Sequence, residues 1–237
     1  MYFNKDPFVV EISKIVHLGD AISILTILFN YCIKTKRSCV LYNCNSTTFD
    51  LLKILNIKFI IPKFRNISST FNLSISDMLG IQSDVLFLKN KYILCDEEIL
   101  IKEIITPSII NNQIKKYCFF QLDQKSSHIK KPLLTIEEKI KIIKKFKIEN
   151  TFGIGGFDTE KIEDENYIIG NLNNTFNMFK QCKYYFGIDS GMSHVAGLHK
   201  IPGNVIITHI EEKDILDIKN FFNRFYPLLK CHSKSEL

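Results

Sequence analysis

One segment of the sequence combines residue types that suit the binding of a phosphate. It reads Gly-Ile-Asp-Ser-Gly-Met-Ser-His-Val-Ala-Gly from Gly187 to Gly197 and follows an apolar run. This pattern predicts a buried strand, a short polar turn and a helix that begins at once. The first N–H groups of a helix have no partners within it and carry partial positive charge, so they can hold a phosphate. The segment therefore predicts a site for a phosphorylated ligand.

Each residue of this turn has its own expected role in binding. Gly191 lets a ligand approach the backbone closely, His194 can donate to a phosphate oxygen, and Asp189 can accept from a sugar hydroxyl. The alternative is structural: Asp189 or Ser190 caps the helix, and His194 is an ordinary surface or core histidine. The residues alone leave both interpretations open.

Alternating strand and helix patterns must position this segment. They predict parallel sheets with helical crossovers, in which ligands bind at the carboxyl ends of the strands. In the first part we predict strands at 8–16, 38–42, 58–61, 84–88 and 92–95 and helices at 21–34, 47–55 and 96–105. In the second part we predict strands at 117–122, 151–154, 167–169, 184–188 and 204–208 and helices at 135–146, 175–182, 192–199 and 215–229.

The 237 residues accommodate two successive α/β units of similar size. A segment with Pro107 and the pair Asn111-Asn112 separates them. We place one domain at 1–112 and a second at 113–237, whose last helix could cross back to the first. With two such units, we expect the ligand site in the cleft between them.

Composition and charge narrow the classes of function. The chain is 46% hydrophobic and 24% charged, which is typical of a globular protein. It has 31 Lys and Arg against 25 Asp and Glu, a net charge of +6, and the basic residues are nearly all lysine. Duplex recognition favours arginine, so a nucleic-acid partner is not expected. The lysine excess suits an anionic small molecule or an anionic membrane surface, or it is only a solvated surface.

Cysteine usage and hydropathy predict a cytoplasmic protein. The seven cysteines are odd in number and form no CxxC pair, which predicts reduced, mostly buried thiols. The start of the sequence has no signal-peptide pattern, and the apolar run 21–33 is too short to span a bilayer. A cytoplasmic protein that binds at the inner face of the membrane would show the same features. No Asp-x-Asp motif or histidine cluster occurs, so we predict neither a bound metal nor a cofactor.

These residues resemble the signature of a known enzyme family. The pattern Asp-Ser-Gly-x-x-His-x-Ala, followed by Lys-Ile-Pro-Gly-Asn-Val from Lys200 to Val205, is similar to the donor-site signature of heptosyltransferase-like glycosyltransferases (glycosyltransferase family 9). The paired glycines Gly155 and Gly156 after a strand also resemble that family. The likeness covers most of the second half of the chain. It implies a GT-B fold, an α/β architecture of two Rossmann-like domains whose parallel sheets face across a cleft.

The resemblance also implies which residues bind a nucleotide-sugar donor. In the polar loop 123–131 the family places small hydroxyl residues and a lysine at the diphosphate, and Lys131 fits best, with Lys125 and Lys130 as alternatives. A lysine there would offset the charge that grows on the leaving diphosphate. The other interpretation is an ordinary basic surface loop. The expected donor-site residues are Ser126, Ser127, Lys131, Gly156, Asp189, Ser190, Gly191, Met192 and His194.

In the first half, Leu18-Gly19-Asp20 resembles the family's Gly-Asp before a long helix. The family's Asp is taken as the general base that deprotonates the acceptor, a role that Asp20 inherits by position. A free Asp has a pKa of about 3.9, so its surroundings would have to raise that pKa. The alternative is that Asp20 caps its helix, and the two roles can coexist.

The implied activity is transfer of a sugar from a nucleotide-diphospho-sugar to an acceptor hydroxyl, with inversion and without a metal. The nucleotide sugar would be a co-substrate, and the acceptor a glycan or another hydroxyl compound, as in surface glycan or lipopolysaccharide synthesis. The alternatives are a non-catalytic nucleotide-sugar-binding protein and a nucleotide-sugar epimerase or hydrolase on the same fold.

Overall fold

The chain divides into two α/β units, Met1–Ser108 and Ile109–Leu237. The structure, a computed structural model, describes residues 5–11, 18–42, 44–63, 85–87, 98–100, 113–123, 134–156, 159–208 and 212–237. The sequence placed the boundary after residue 112, and the two units divide after Ser108.

The first unit contains a parallel sheet of three described strands. Side chains on its first helix, Leu18–Thr35, among them Ile22, Leu25 and Tyr31, are fully buried. A separate antiparallel pair joins β4 (Val85–Phe87) to β5 (Glu98–Leu100). The parallel sheet has the order β1 (Lys5–Glu11), β2 (Arg37–Tyr42), β3 (Ile60–Pro62), and α1 (Leu18–Thr35) and α2 (Ser46–Ile54) follow its first two strands.

The second unit is built on a six-stranded sheet in which every neighbouring pair is parallel. Its strands are β6 (Tyr117–Gln121), β7 (Thr151–Gly155), β8 (Tyr167–Ile169), β9 (Cys182–Ile188), β10 (Gly203–Ile207) and β11 (Leu229–Ser233). Its helices are α3 (Ile136–Phe146), α4 (Leu172–Phe179), α5 (Gly191–Leu198) and α6 (Glu212–Phe225), with a final 3-10 turn at Lys234–Glu236. The strand order is β11-β10-β9-β6-β7-β8, which is the doubly wound Rossmann order.

The core of this unit explains why its central strands are continuously apolar. Parallel strands are covered on both faces, so alternation of apolar and polar residues disappears. All five residues of β10 are buried. Phe120 on β6 stacks on Phe186 of β9 with ring centroids 5.4 Å apart, and Tyr167 packs edge-on against Phe120 at 5.5 Å. This core holds the strand ends, and therefore the loops that follow them, in a fixed arrangement.

Two sequence predictions about single elements are wrong. The helix predicted at 96–105 contains the strand Glu98–Leu100, because pairing with Val85–Phe87 overrides the local helix signal of an acidic first turn. The closing helix ends at Phe225, two residues before Pro227, since proline cannot continue a helix. The chain then forms an additional strand, Leu229–Ser233, beside β10. The strand predicted at 92–95 lies outside the described residues.

The six cysteines within the described residues are free, and five of them are buried. Burial raises the pKa of Cys182 to about 12, so this thiol stays protonated at neutral pH. None of the helices in the described ranges is long and apolar enough to cross a bilayer.

Candidate functional site

The strand order of the second unit reverses between β6 and β9. These strands lie side by side, with Gln121 paired with Gly187. The sheet continues to β7 and β8 on one side and to β10 and β11 on the other. In open parallel sheets, the carboxyl ends of the strands leave a crevice at such a reversal, and ligands bind there. The turn that follows Ile188 lies at this place.

The helix after β9 begins without a side-chain cap. Ser190 occupies the N-cap position of α5 with an extended backbone, but its side chain makes no hydrogen bond to the helix amides. Its hydroxyl donates instead to Gln121 Oε1 at 2.7 Å. Ser190, Gly191 and Met192 are partly exposed. The first amides of α5 therefore lie at a partly exposed surface, and the alternative that Ser190 caps this helix is wrong.

The other α-helices whose N-caps the structure describes begin in the ordinary way. Helices α2, α3 and α4 each begin with a side-chain oxygen that accepts from an amide of the first turn. The bonds run from Thr48 to Asn45 at 2.9 Å, from Glu138 to Thr135 at 3.2 Å and from Asn174 to Asn171 at 3.0 Å. Helix α5 differs because a neighbouring strand presents an acceptor to its N-cap hydroxyl.

A serine in the first turn of α5, Ser193, bonds back to the strand that precedes the helix. Ser193 Oγ donates to the carbonyl oxygen of Ile188 at 2.5 Å and lies 3.3 Å from the Tyr185 hydroxyl. Tyr185 is fully buried, and burial raises the pKa of its phenol, which therefore stays protonated. The hydroxyl groups beneath the turn thus bind one another and the backbone of β9.

Asp189 is a buried residue that joins the ends of two strands. Its Oδ1 accepts from the backbone N–H of Thr208 at 3.1 Å and from the Thr208 hydroxyl at 2.9 Å. Asp189 is 7% exposed and Thr208 2%. One oxygen of the carboxylate is therefore occupied in holding the end of β9 to the residue after β10. The sequence reasoning did not single out Thr208, although its place after a continuously apolar strand is the signal for a residue at this edge.

His194 is held between α5 and α6. Its Nδ1 lies 3.3 Å from the Tyr226 hydroxyl, and its ring centroid lies 5.1 Å from that of Phe222 and 5.5 Å from that of Phe221. The side chain is partly buried. These contacts fix the orientation of the imidazole, so the predicted phosphate donor is at the same time a packing residue between two helices.

An ion-pair cluster follows the end of β6. The Lys139 ammonium of α3 lies 2.6 Å from Asp123 Oδ1 and 3.1 Å from Glu160 Oε2, and Lys139 is 5% exposed. Burial alone would lower the pKa of Lys139, but the hydrogen bonds that its ammonium donates to both carboxylates prevail and raise it. The sequence reasoning missed Lys139. The available signal was its position three and four residues before Ile142 and Ile143 on the apolar face of α3.

The remaining predicted residues are placed as follows. Gly156 comes directly after β7 at the same sheet edge, is exposed, and accepts from the Thr159 amide at 3.1 Å. The backbone of Asp20 is the third residue of α1, within its first turn, and its side chain lies outside what the structure describes. The loop residues Ser126, Ser127 and Lys131, with Lys125 and Lys130, also lie outside the described residues.

Comparison with known proteins identifies a fold. Neither a protein-family model nor a curated protein matches the sequence. Among solved structures, the chain is similar to TibC, an iron-containing dodecameric glycosyltransferase from enterotoxigenic E. coli H10407, with a TM-score of 0.51 and 14% identity. The chain has the fold of a glycosyltransferase. The match covers 87% of this chain and 59% of TibC, so the chain spans less than two thirds of the length of TibC.

Two further solved structures are similar. One is the heptosyltransferase TibC in complex with ADP-D-β-D-heptose, at a TM-score of 0.49 and 14% identity over 87% of this chain and 59% of that one. The other is a glycosyl transferase family 9 protein from Veillonella parvula DSM 2008, at a TM-score of 0.43 and 12% identity over 94% and 90%. The predicted GT-B-like α/β class is confirmed by the parallel sheets and by the similarity of fold to the glycosyltransferase TibC. TibC contains iron; within the described residues of this chain, no three His, Cys, Asp or Glu side chains are grouped so as to hold a metal ion.

Proposed function

We propose that this chain is a glycosyltransferase that moves a sugar from a nucleotide-diphospho-sugar to an acceptor hydroxyl, with inversion and without a metal ion. The observation that carries the proposal is the uncapped N-terminus of α5 at the strand reversal of a sheet with a glycosyltransferase fold. Such a helix end offers amide donors and partial positive charge to an anion. A diphosphate is the part of a nucleotide sugar that this arrangement suits.

In this proposal, the amides of Gly191 and Met192 hold the diphosphate. Gly191 has no side chain, so a phosphate oxygen can approach the backbone. The same amides stabilise the charge that grows on the diphosphate as it leaves, and Ser126, Ser127 and Lys131 supply further contacts. Asp189 orients a hydroxyl of the donor sugar in addition to holding Thr208. The other residues of the turn and Gly156 supply the remaining contacts to the nucleotide sugar.

The transfer step is a single displacement. The acceptor oxygen attacks the anomeric carbon while the bond from that carbon to the diphosphate oxygen breaks, which inverts the anomeric centre. The acceptor proton passes to the Asp20 carboxylate, and the electron pair of the broken bond leaves on the nucleoside diphosphate. Positioning and charge stabilisation supply most of the rate.

The proposal covers the acceptor only as a class. A glycan or another hydroxyl compound would serve, with hexosyl or heptosyl transfer, as in surface glycan or lipopolysaccharide synthesis. The net charge of +6 supports contact of a cytoplasmic protein with an anionic membrane surface.

The test is a thermal-shift panel followed by a turnover assay. The panel contains ADP, GDP, UDP and CDP, their sugar conjugates including ADP-D-β-D-heptose, and the unphosphorylated nucleosides as matched controls. A ligand at 100 times its Kd stabilises by about 2.7 kcal/mol, which raises Tm by roughly 5–10 °C for a chain of this size. We expect a shift with one diphosphate series and none with the nucleosides.

The turnover assay distinguishes the alternatives. Sugar transfer to an added acceptor supports the proposal. Donor affinity without transfer or hydrolysis would instead indicate a non-catalytic nucleotide-sugar-binding protein. Release of the nucleotide with water alone would indicate a hydrolase, and a protein that binds no member of the panel would contradict the proposal.

A further inference from the structure

The hydrogen bond between Ser190 and Gln121 joins residues 69 positions apart at the strand reversal. Gln121 is the last residue of β6 and is partly buried, and its backbone pairs with Gly187 of β9. From this position its side-chain oxygen reaches past the end of β9 to the N-cap of α5, where it accepts the Ser190 proton at 2.7 Å. The bond therefore runs across the crevice end of the two central strands.

Without this bond, the Ser190 hydroxyl would have another partner close by, an amide of the first turn of α5. Serine is among the preferred N-cap residues, and its hydroxyl accepts from the second or third amide of the helix. In α5 these are the amides of Met192 and Ser193, and the Ser193 amide already donates to the Ser190 carbonyl oxygen at 3.0 Å. Asn45, Thr135 and Asn171 make that bond at the N-termini of α2, α3 and α4. Ser190 has the extended backbone of an N-cap and lacks only the bond.

We propose that Gln121 is a positioning residue that holds the Ser190 hydroxyl away from the first turn of α5 and so keeps the Gly191 and Met192 amides open for the diphosphate. This inference rests on the proposed function. When the hydroxyl is held by Gln121, a phosphate meets amides that have no competing side-chain acceptor. If Gln121 offers no acceptor, Ser190 caps the helix, and the ligand must displace that cap before it binds.

The test is a double-mutant cycle on the affinity for the nucleoside diphosphate that the wild-type chain binds. Gln121→Met keeps the length of the side chain and removes the acceptor. The cost of displacing a serine cap corresponds to a loss of about five-fold in affinity. In a Ser190→Ala background the competing hydroxyl is absent, so Gln121→Met should then change the affinity by less than two-fold. Gln181→Met, just before β9 at the opposite edge of the sheet, is the matched control and should leave the affinity unchanged.

A second measurement does not depend on a ligand. Hydrogen exchange of the Met192 amide should slow in Gln121→Met, because the new cap protects this amide, and should not slow when Ser190 is also alanine.

The possible results separate the two proposals. A wild-type chain that binds no nucleoside diphosphate contradicts the proposed function and this inference with it. If the wild-type chain binds but Gln121→Met loses affinity equally in both backgrounds, Gln121 contacts the ligand or supports the fold directly, and the inference is wrong. Unchanged affinity, or unchanged amide exchange, in the single variant also overturns it. Loss of affinity only when Ser190 is present, with slower exchange at the Met192 amide, supports it.

Discussion

Helices α3 and α5 both follow a central strand of the same sheet and both begin at a hydroxyl residue, yet their ends are satisfied in opposite ways. At α3, Thr135 and Glu138 cap each other, and Lys147 at the far end pairs with Glu165 at 2.7 Å. At α5, Ser190 turns away from the amides. At its far end, His199 is buried with no hydrogen-bond partner on either ring nitrogen among the described residues.

Under the proposed function, the difference separates a helix end that only stabilises the fold from one that binds the diphosphate. The N-terminal cap of α3 is local, since Thr135 and Glu138 lie three residues apart, and it stabilises the fold whatever is bound. The far end of α5 carries a cost, because a buried polar group without a partner, here His199, destabilises by about 1–3 kcal/mol. The packing around α5 must offset that cost, and the open amides are what a ligand can use.

The largest expected effect comes from a residue outside both helices. We expect Asp20→Asn to lower turnover by at least about 100-fold, because the amide cannot accept the acceptor proton. Affinity for the nucleoside diphosphate should stay the same, since binding is assigned to α5. A turnover assay and a calorimetric titration on the same sample measure both quantities, and near-normal turnover would show that Asp20 is not the base.

The next effect contrasts the two N-termini directly. Ser190→Asp places a carboxylate at the open amides, where it repels a diphosphate, and should weaken nucleoside-diphosphate binding by at least about 30-fold, or about 2 kcal/mol. Thr135→Asp, the matched change at α3, should leave that affinity unchanged. Calorimetric titration of both variants is the measurement. Equal affinities would mean that the N-terminus of α5 does not bind the diphosphate.

We expect His199, at the C-terminal end of α5, to make the free energy of unfolding depend on pH. Burial, with smaller effects of Lys180 and Lys115, lowers the pKa of His199 to about 3. The unfolded chain takes up this proton as the pH falls through about 6.5, and the folded chain does so only near 3. The free energy of unfolding should therefore fall with decreasing pH, by about 2 kcal/mol between pH 7 and pH 5.

Urea unfolding at several pH values measures this slope. His199→Leu removes the titrating group and two unpartnered nitrogens, so the variant should lose less stability over the same range. A variant with the same slope as the wild-type chain would assign the pH dependence to other groups.

The smallest effect is the loss of the cap at α3. Thr135→Ala removes the side-chain acceptor of the capping box and should lower the free energy of unfolding by about 1 kcal/mol. Ligand affinity should not change. Denaturant unfolding and the calorimetric titration check the two parts. A change in affinity would show that α3 contributes to the site, and the contrast drawn between the N-termini of α3 and α5 would be wrong.

The same contrast shows how far the sequence could predict this protein. The alternation of strands and helices, the capping box at Thr135 and Glu138, and the placing of the turn after Ile188 at a strand end all follow from patterns within a few residues. The strand at Glu98–Leu100 could not be predicted from such local patterns. Ten residues separate it from its partner Val85–Phe87, and its own sequence suits a helix.

The site shows the same limit more clearly. The sequence suggested both a phosphate site and a simple cap at Ser190, and only the position of Gln121 on the neighbouring strand decides against the cap. The bonds between Asp189 and Thr208 and between Lys139 and Asp123 are likewise made between separate elements. Such contacts depend on strand order, which local patterns do not contain.

The most direct measurement is an NMR titration of the labelled chain with the nucleoside diphosphate that stabilises it most. The account predicts that the backbone amides of Gly191 and Met192 shift more than any others in the second unit, and that those at the capped N-terminus of α3 do not shift. Saturable binding with the Gly191 and Met192 amides unmoved would contradict it.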